Sequence, residues 1–547
     1  MNKYNTPLCN NKMDFEECEL AILRQAVDES EMIAAKKTVM NDDVQKIIEI
    51  LENFLQRKPL ICYGGTAINN ILPKQDQFYN RELEIPDYDF YSKNALNDAI
   101  ELANIYADAG YKEVEAKSGM HHGTYKVFVN FIAVADITFL HKDIFDALYT
   151  DAIKVAGIKY APANFLRMNM YLELSRPMGD VSRWEKVFKR LSLLNKHYPV
   201  NPSTNCDKVE FQKKMEEETI KSIITKDSIS KTKSFLNLST TEVEEDIHIS
   251  IRNTLVSLGA IFIGGYACSL YSKYMPEKEK HKVEKTADFD VIAEDIDKCA
   301  IIVKEQLENK VKDVIVLVEH AEISEIIPRN IEIKIGKDSV AFIYEPIACH
   351  SYNKINVDKK EINVATIDTL LSFYLAFLYS KKEYYQNKDK ILCMAMFLFD
   401  VQQRNRLNQD GLLKRFSIDC YGKQKTLEDI RTEKAEKFKE LNVKKGTPEY
   451  DEWFLKYNPN DERKRTNVKS EEKAKKEIIL SPDAIREKKK NKLVNENPVN
   501  ENPVNEKSVN KKKKPVNKKT ANKKSANKKR YNKKFSKKRK TFQNFLF

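Results

Sequence analysis

Three short patterns in the first 140 residues hold the residue types needed to handle a phosphate. Gly64-Gly65-Thr66 follows a short apolar run at 60–63 and precedes Ala67-Ile68-Asn69-Asn70-Ile71-Leu72, which reads as a helix. Glycines let backbone N–H groups approach a phosphate without Cβ obstruction, and a helix N-terminus adds positive potential. Asp87 and Asp89 come next, in Ile85-Pro86-Asp87-Tyr88-Asp89-Phe90-Tyr91. Alternation along a strand places both carboxylates on one face, where they can share divalent ions. Asp136 stands in an apolar stretch, Val134-Ala135-Asp136-Ile137-Thr138, where an unpaired charge would be costly. On a neighbouring strand it would complete a two-ion site for in-line attack on phosphorus. The competing reading is a carboxylate paired with a buried Lys or Arg.

The elements that must position these residues are legible in outline. Residues 14–57 read as helices, with Asn41-Asp42-Asp43 supplying cap chemistry for a helix over 44–55. The runs at 60–63, 88–91, 125–134 and 137–140 are rich in β-branched and aromatic residues and predict strands. Apolar spacing over 95–109 predicts a helix between them. An internal repeat is more informative. Ile261-Phe262-Ile263-Gly264-Gly265-Tyr266-Ala267 restates Ile61-Cys62-Tyr63-Gly64-Gly65-Thr66-Ala67 two hundred residues later. Asp87-Tyr88-Asp89-Phe90 begins 23 positions after its first glycine, and Asp288-Phe289-Asp290-Val291 begins 24 positions after its own. The likeness runs on from Tyr160-Ala161 to Leu172 and from Val364-Ala365 to Leu375. Such a period is too long for a solenoid unit and indicates a duplicated domain.

Composition narrows the class. The chain has 547 residues and a formal net charge of +13, but residues 486–547 hold 23 Lys and Arg against 4 Glu, a net +19. The first 485 residues therefore carry −6. This is a mildly acidic body with a basic tail in which Asn recurs every five residues, a composition that predicts disorder. The longest apolar-rich run, 369–379, is about half a bilayer span, and the N-terminus has no apolar stretch for secretion. Nine cysteines are scattered singly without CxxC or CxxH spacing, which argues against a disulfide framework or a zinc site and for a reducing, cytoplasm-like compartment.

Taken together, the motifs resemble those of the nucleotidyltransferase superfamily, and within it the catalytic subunit of the poly(A) polymerases of poxviruses and giant DNA viruses. Residues 63–73 are similar to that group's triphosphate loop and helix, and 85–91 to its paired aspartates. Val134-Ala135-Asp136-Ile137 is similar to its third aspartate. The run Tyr171-Leu172-Glu173-Leu174-Ser175-Arg176-Pro177, continuing through Gly179-Asp180 to Ser182-Arg183-Trp184-Glu185-Lys186, also resembles the group. The likeness covers roughly residues 50–400 and leaves the tail outside.

The resemblance implies an α+β protein with two tandem nucleotidyltransferase-like domains, each a mixed sheet with flanking helices, the second degenerate. The expected division is an N-terminal helical segment (1–57), a catalytic domain (58–200), a connecting helical segment (201–245), a degenerate domain (246–420), a charged helical linker (421–485) and a disordered Lys/Asn-rich tail (486–547). Gly64 and Gly65 would hold the triphosphate of ATP, with Thr66 hydrogen-bonding beside them and Lys154 a further candidate ligand. Asp87, Asp89 and Asp136 would bind two Mg²⁺ or Mn²⁺ ions and carry catalysis. The implied reaction adds adenylates to an RNA 3′ end without a template and releases pyrophosphate. Neighbouring alternatives are a terminal transferase with another nucleotide preference and a non-catalytic RNA-binding scaffold. Expected partners are RNA and ATP, with a second copy of the chain or a viral processivity subunit and no membrane. The expected location is cytoplasmic, in the viral factory, and in the virion, with the basic tail leaving the nucleus open.

Among secondary residues, His121-His122-Gly123-Thr124 reads either as a phosphate or base contact or as an exposed polar turn. Asp180 reads as a helix N-cap. Arg183, Trp184 and Lys186 could line the cleft, with packing the simpler role for Trp184. The second copy is expected not to catalyse: Tyr266 replaces Thr66, and Phe342 stands where the third aspartate belongs. It would wall the RNA cleft, with a residual single-ion or nucleotide site as the alternative. The tail would bind RNA backbone through counterion release, without sequence preference.

Overall fold

Asn41 accepts a hydrogen bond from the Asp43 N–H at 2.9 Å, and the helix it caps buries Ile47, Leu51, Phe54 and Leu55 on one face. That face is what a sheet needs as cover. The computed structural model describes residues 4, 6–206, 240–276, 289–311, 314–324, 326–380 and 387–462, all within a unit that spans Met1–Ser470. Asp288, the tail, most of the connecting segment and residues 463–485 lie outside the described residues.

In chain order the first half comprises α1 (Phe15–Val39), α2 (Asp42–Arg57), β1 (Ile61–Tyr63), α3 (Gly64–Ile71), β2 (Tyr88–Ser92), α4 (Ala95–Asp108), β3 (Val114–Ser118), β4 (Thr124–Val129), β5 (Ile132–Phe139), α5 (Lys142–Thr150), β6 (Ile153–Val155), β7 (Ile158–Tyr160), α6 (Ala163–Leu174) and α7 (Trp184–His197). The second half comprises α8 (Thr240–Ser257), β8 (Ile261–Ile263), α9 (Gly264–Tyr271), β9 (Phe289–Ile292), α10 (Ile296–Glu308), β10 (Ile315–His320), β11 (Asn330–Ile335), β12 (Asp338–Tyr344), β13 (His350–Val357), β14 (Lys360–Ala365), α11 (Ile367–Phe377) and α12 (Lys388–Arg404). After these come β15 (Cys420–Tyr421), α13 (Leu427–Leu441), α14 (Pro448–Phe454) and β16 (Lys456–Tyr457).

Two eight-stranded mixed sheets result, ordered β16-β3-β4-β5-β2-β1-β7-β6 and β10-β11-β12-β9-β8-β14-β13-β15. In the first, β1–β2 and β4–β5 pair antiparallel while β2–β5 pair parallel. Period-two alternation sends Tyr125, Val127 and Val129 of β4 inward, under α4. It leaves Thr124, Lys126 and Phe128 on the opposite, open face. That face carries the site. The second sheet repeats the plan, with β8–β9 antiparallel and β9–β12 parallel. The sequence likeness beyond the strands has a structural counterpart: α6 and the wholly buried α11 occupy equivalent places and pack on each other, joining the two halves.

Three findings depart from expectation. The apolar run 125–134 is broken by Asn130 and Phe131, both at positive φ (49° and 65°), so one predicted strand becomes a β4–β5 hairpin. Residues 421–462, expected as part of a charged linker, do form the solvated helix α13, yet they fold back on the first domain. β16 adds an edge strand to β3, the Tyr125 hydroxyl donates to the Glu452 carbonyl at 3.0 Å, and the Lys434 ammonium donates to the Gly119 carbonyl at 2.6 Å. Six cysteines pair, as Cys9–Cys18, Cys206–Cys393 and Cys349–Cys420, leaving Cys62, Cys268 and Cys299 free and buried. This corrects the expectation of unpaired thiols: spacing in sequence was a poor guide to proximity across separations of 71 and 187 residues. Cysteine usage therefore gives no support to a reducing compartment.

His350, at the start of β13, is fully buried, and neither ring nitrogen has a hydrogen-bond partner among the described residues. Burial first, then the charge of Arg176, lowers its pKa to about 3. The unfolded chain takes up this proton near pH 6.5 and the folded chain does not, so stability falls as pH drops below about 6.5, by up to about 1.4 kcal/mol per unit. Melting temperatures between pH 7 and 4.5 should decline more steeply for wild type than for His350→Leu. Parallel slopes would remove His350 as the cause.

Candidate active site

Gly64 sits at φ +75°, where an L side chain is strained, and an added Cβ would lie 2.6 Å from Asp89 Oδ2. Helix α3 starts at this glycine, three residues earlier than the apolar pattern indicates, and its N-cap Tyr63 supplies no side-chain cap. The first N–H groups of α3 are thus left for a ligand. Asp89 is the register partner of Tyr63 on one side and of Asp136 on the other. Asp136 pairs in turn with Lys126, Lys126 with Lys117, and Lys117 with Lys456. A single rung of the sheet therefore reads Tyr63, Asp89, Asp136, Lys126, Lys117, Lys456, with acid at its middle and base toward one edge.

The electrostatics follow from this crowding. Burial first, then the charges of Asp87 and Asp136, raises the Asp89 pKa to about 7. Asp87, at the N-terminal end of β2, is also raised, by desolvation and then by Asp136. The Lys126 ammonium, partly exposed, is bonded to Asp136 Oδ2, so Asp136 stands beside Asp89 in register with a lysine as its partner. Carboxylate oxygens are the donors Mg²⁺ and Mn²⁺ take, and like charges held this close are what a divalent ion would relieve. The donor set fits such an ion. As placed, however, no three acidic, histidine or cysteine groups converge into a ligand cluster among the described residues; Asp136 is engaged by Lys126 instead.

Thr66 is buried, and its hydroxyl donates to the Asp87 backbone carbonyl at 2.6 Å. It clamps the aspartate segment to α3. Arg190, on α7, is the residue that sequence reasoning missed. Its guanidinium donates to the Tyr79 hydroxyl at 2.7 Å and stacks over the Phe78 ring at 4.8 Å. An added Cβ on Gly65 would meet Arg190 Nη1 at 2.9 Å and the Tyr79 hydroxyl at 2.5 Å. Arg190 therefore lies against the glycine turn. Lys186, one turn earlier on α7, is held below its ordinary pKa by burial and then by Arg190 and Arg183. Lys186 and Arg190 crowd one another on α7, Arg190 against the glycine turn, and cations beside a helix N-terminus suit an anion.

The other expected residues make contacts of their own. Lys154 is exposed on β6, the edge strand, which packs beside α3. The ring of His122 lies 4.1 Å from that of Trp453, against the folded-back segment. Asp180 caps the turn before α7 through the Ser182 N–H at 3.3 Å. The Trp184 indole donates to the Glu173 carbonyl at 2.9 Å, a packing contact. Arg183 pairs with Glu173 at 3.2 Å.

The second half carries the same rung with different chemistry. Gly264 has φ +71°, and Asp290 lies against it. Asp290 pairs with Phe342, and Phe342 with Glu332. Phenylalanine thus stands at the place of Asp136, and glutamate at that of Lys126. Tyr266 packs among Phe262 and Phe289.

Two tandem mixed sheets, each entered through a strand, a glycine turn and a helix, define a duplicated nucleotidyltransferase-like fold. Comparison with known proteins agrees. Residues 49–180 match the family model of the poly(A) polymerase catalytic subunit. A mimivirus protein provisionally named poly(A) polymerase catalytic subunit is 34% identical over 158 residues, 28% of this chain and 26% of the relative. A protein of the same provisional name from African swine fever virus is 32% identical over 180 residues, 32% of this chain and 38% of the relative. The chain thus spans between a quarter and two fifths of the length of these relatives. The crystal structure of the Megavirus polyadenylate synthase superposes with a TM-score of 0.65 at 19% identity, covering 86% of this chain and 92% of that one. It shares the fold of this protein.

Proposed function

We propose that this protein is a template-independent poly(A) polymerase that transfers adenylate from ATP to an RNA 3′ end and releases pyrophosphate. The observation that carries this reading is the side-by-side register of Asp89 and Asp136 at the mouth of the Gly64–Gly65 turn. The turn and the α3 N–H groups receive the triphosphate, and Arg190 with Lys186 neutralises its charge. Asp87, Asp89 and Asp136 would hold two Mg²⁺ or Mn²⁺ ions, which would supply Lewis-acid activation of the RNA 3′-hydroxyl and of the phosphoryl oxygens. Thr66 keeps Asp87 in line with the turn. Lys126 gives Asp136 a counter-charge.

The relatives are named as subunits, which supports a further protein beside this chain. A second copy or a separate processivity subunit would find α1 outermost, with Phe15, Leu23 and Ile33 each more than half exposed. No described helix is long and apolar enough to cross a membrane. The proposed location is the cytoplasm.

The deciding experiment incubates the protein with Mg²⁺ or Mn²⁺, an oligo-RNA primer and each NTP separately. ATP should be the chief substrate. Equal use of all four would sink the poly(A) assignment, and no extension would favour a scaffold. In the same assay Asp290→Asn should leave the rate within about twofold, because the second rung lacks its third carboxylate. A collapse would mean that the second half carries the chemistry.

A further inference from the structure

We propose that the groove between the β3–β4 hairpin and α13 holds the 3′-terminal strand of the RNA, with α13 as its positive wall. The proposal rests on the polymerase reading and deepens it. The groove encloses about 750 Å³ and is lined by Lys126, Arg431, Lys434, Phe438, Lys439 and Phe454, among others.

Arg431, Lys434 and Phe438 follow one another at three- and four-residue steps along the groove face of α13, with Lys439 beside them, while Glu433, Glu436 and Glu440 fall on the opposite face, where Lys437 pairs with Glu440. Arg431 has an exposed pairing with Glu428 at 3.9 Å. Lys434 is directed at the Gly119 carbonyl, and burial keeps its pKa below the usual range. A wall of cations in a partly enclosed groove suits a polyanion. Phe438 and Phe454, with ring centroids 5.3 Å apart, offer the stacking surface that bases use.

Placement supplies the second line of argument. Lys126 lines the groove and also bonds Asp136, so the groove opens directly onto the carboxylate rung. The Gly64–Gly65 turn and Arg190 lie at the other end of that rung, beyond Tyr63 and Asp89. In-line displacement needs the attacking oxygen and the departing pyrophosphate on opposite sides of the phosphorus. A strand in the groove brings its terminal hydroxyl to the side away from the triphosphate. The duplex-free 3′ end of an RNA meets both demands, of charge and of direction.

The test uses the full chain and an oligo-RNA with a 3′-terminal 4-thiouridine, cross-linked by light and mapped by mass spectrometry. Cross-links are expected in peptides from residues 427–457. Arg431→Gln/Lys439→Gln, both exposed and far from the core, should lower their yield on the order of tenfold. Phe438→Ala should lower it about fivefold or more. Cross-links confined to the tail or the second half, or yields unchanged in all variants, would overturn the groove. Extension of the primer with ATP but without groove cross-links would overturn this proposal alone. Groove cross-links without extension would support it and sink the polymerase reading.

Discussion

On the proposed reading Asp87→Ala/Asp89→Ala should abolish primer extension, by roughly three orders of magnitude or more, because these side chains would hold the cations whose charge stabilises the displaced oxygens. RNA binding should persist. The fold should tolerate the change: the Thr66 hydroxyl is held by the Asp87 main-chain carbonyl, which alanine keeps. Burial first, and then neighbouring carboxylates, pushes both pKa values up, so their removal relieves a desolvation cost and some repulsion. The melting temperature without metal should stay level or rise. Single-turnover extension and a binding titration on the same preparation check this. Retained extension would refute the site; loss of RNA binding alongside it would mean the carboxylates shape the cleft.

Arg190→Ala is the second large effect. Hydrogen bonds to charged groups are worth about 1.5–3 kcal/mol, which is roughly a 10- to 100-fold rise in KM for ATP. Primer KM should change little, because Arg190 lies at the triphosphate end of the rung. The guanidinium also steadies Tyr79 and Phe78, so Tyr79→Phe is the control: it removes that hydroxyl bond and keeps the cation. A KM for ATP equal to wild type in Tyr79→Phe and raised in Arg190→Ala assigns the effect to phosphate. Equal defects in both would assign it to loop positioning.

Much of the site was legible because its parts follow local rules. A glycine turn between strand and helix, paired aspartates on alternating positions and a lone acid in an apolar strand each leave a short signature. The duplication was legible too, down to Phe342 facing Asp290. What escaped notice depends on contacts distant in sequence. Arg190 lies 125 residues from Gly65, in a helix whose cations all resemble solvated ones. The folded-back segment has few buried residues, Leu441 and Leu455 among them, and its Lys/Glu content hides the cations along the groove face. The β4–β5 hairpin turns at Asn130-Phe131 without glycine or proline, so β propensity carried the expected strand straight through it. Lys154 suits a phosphate by type, and strand order puts it on the edge strand, beside α3.

The second half serves as a subtraction experiment performed within one molecule. Both halves keep a glycine in the left-handed region with an aspartate carboxylate resting against it, although only the first half has the remaining acid and base of the rung. What the halves share is the entry of strand, glycine turn and helix; what differs is the increment added for reaction. Gly64 thus has two duties, of shape and of chemistry, whereas Asp89, Lys126 and Asp136 have one.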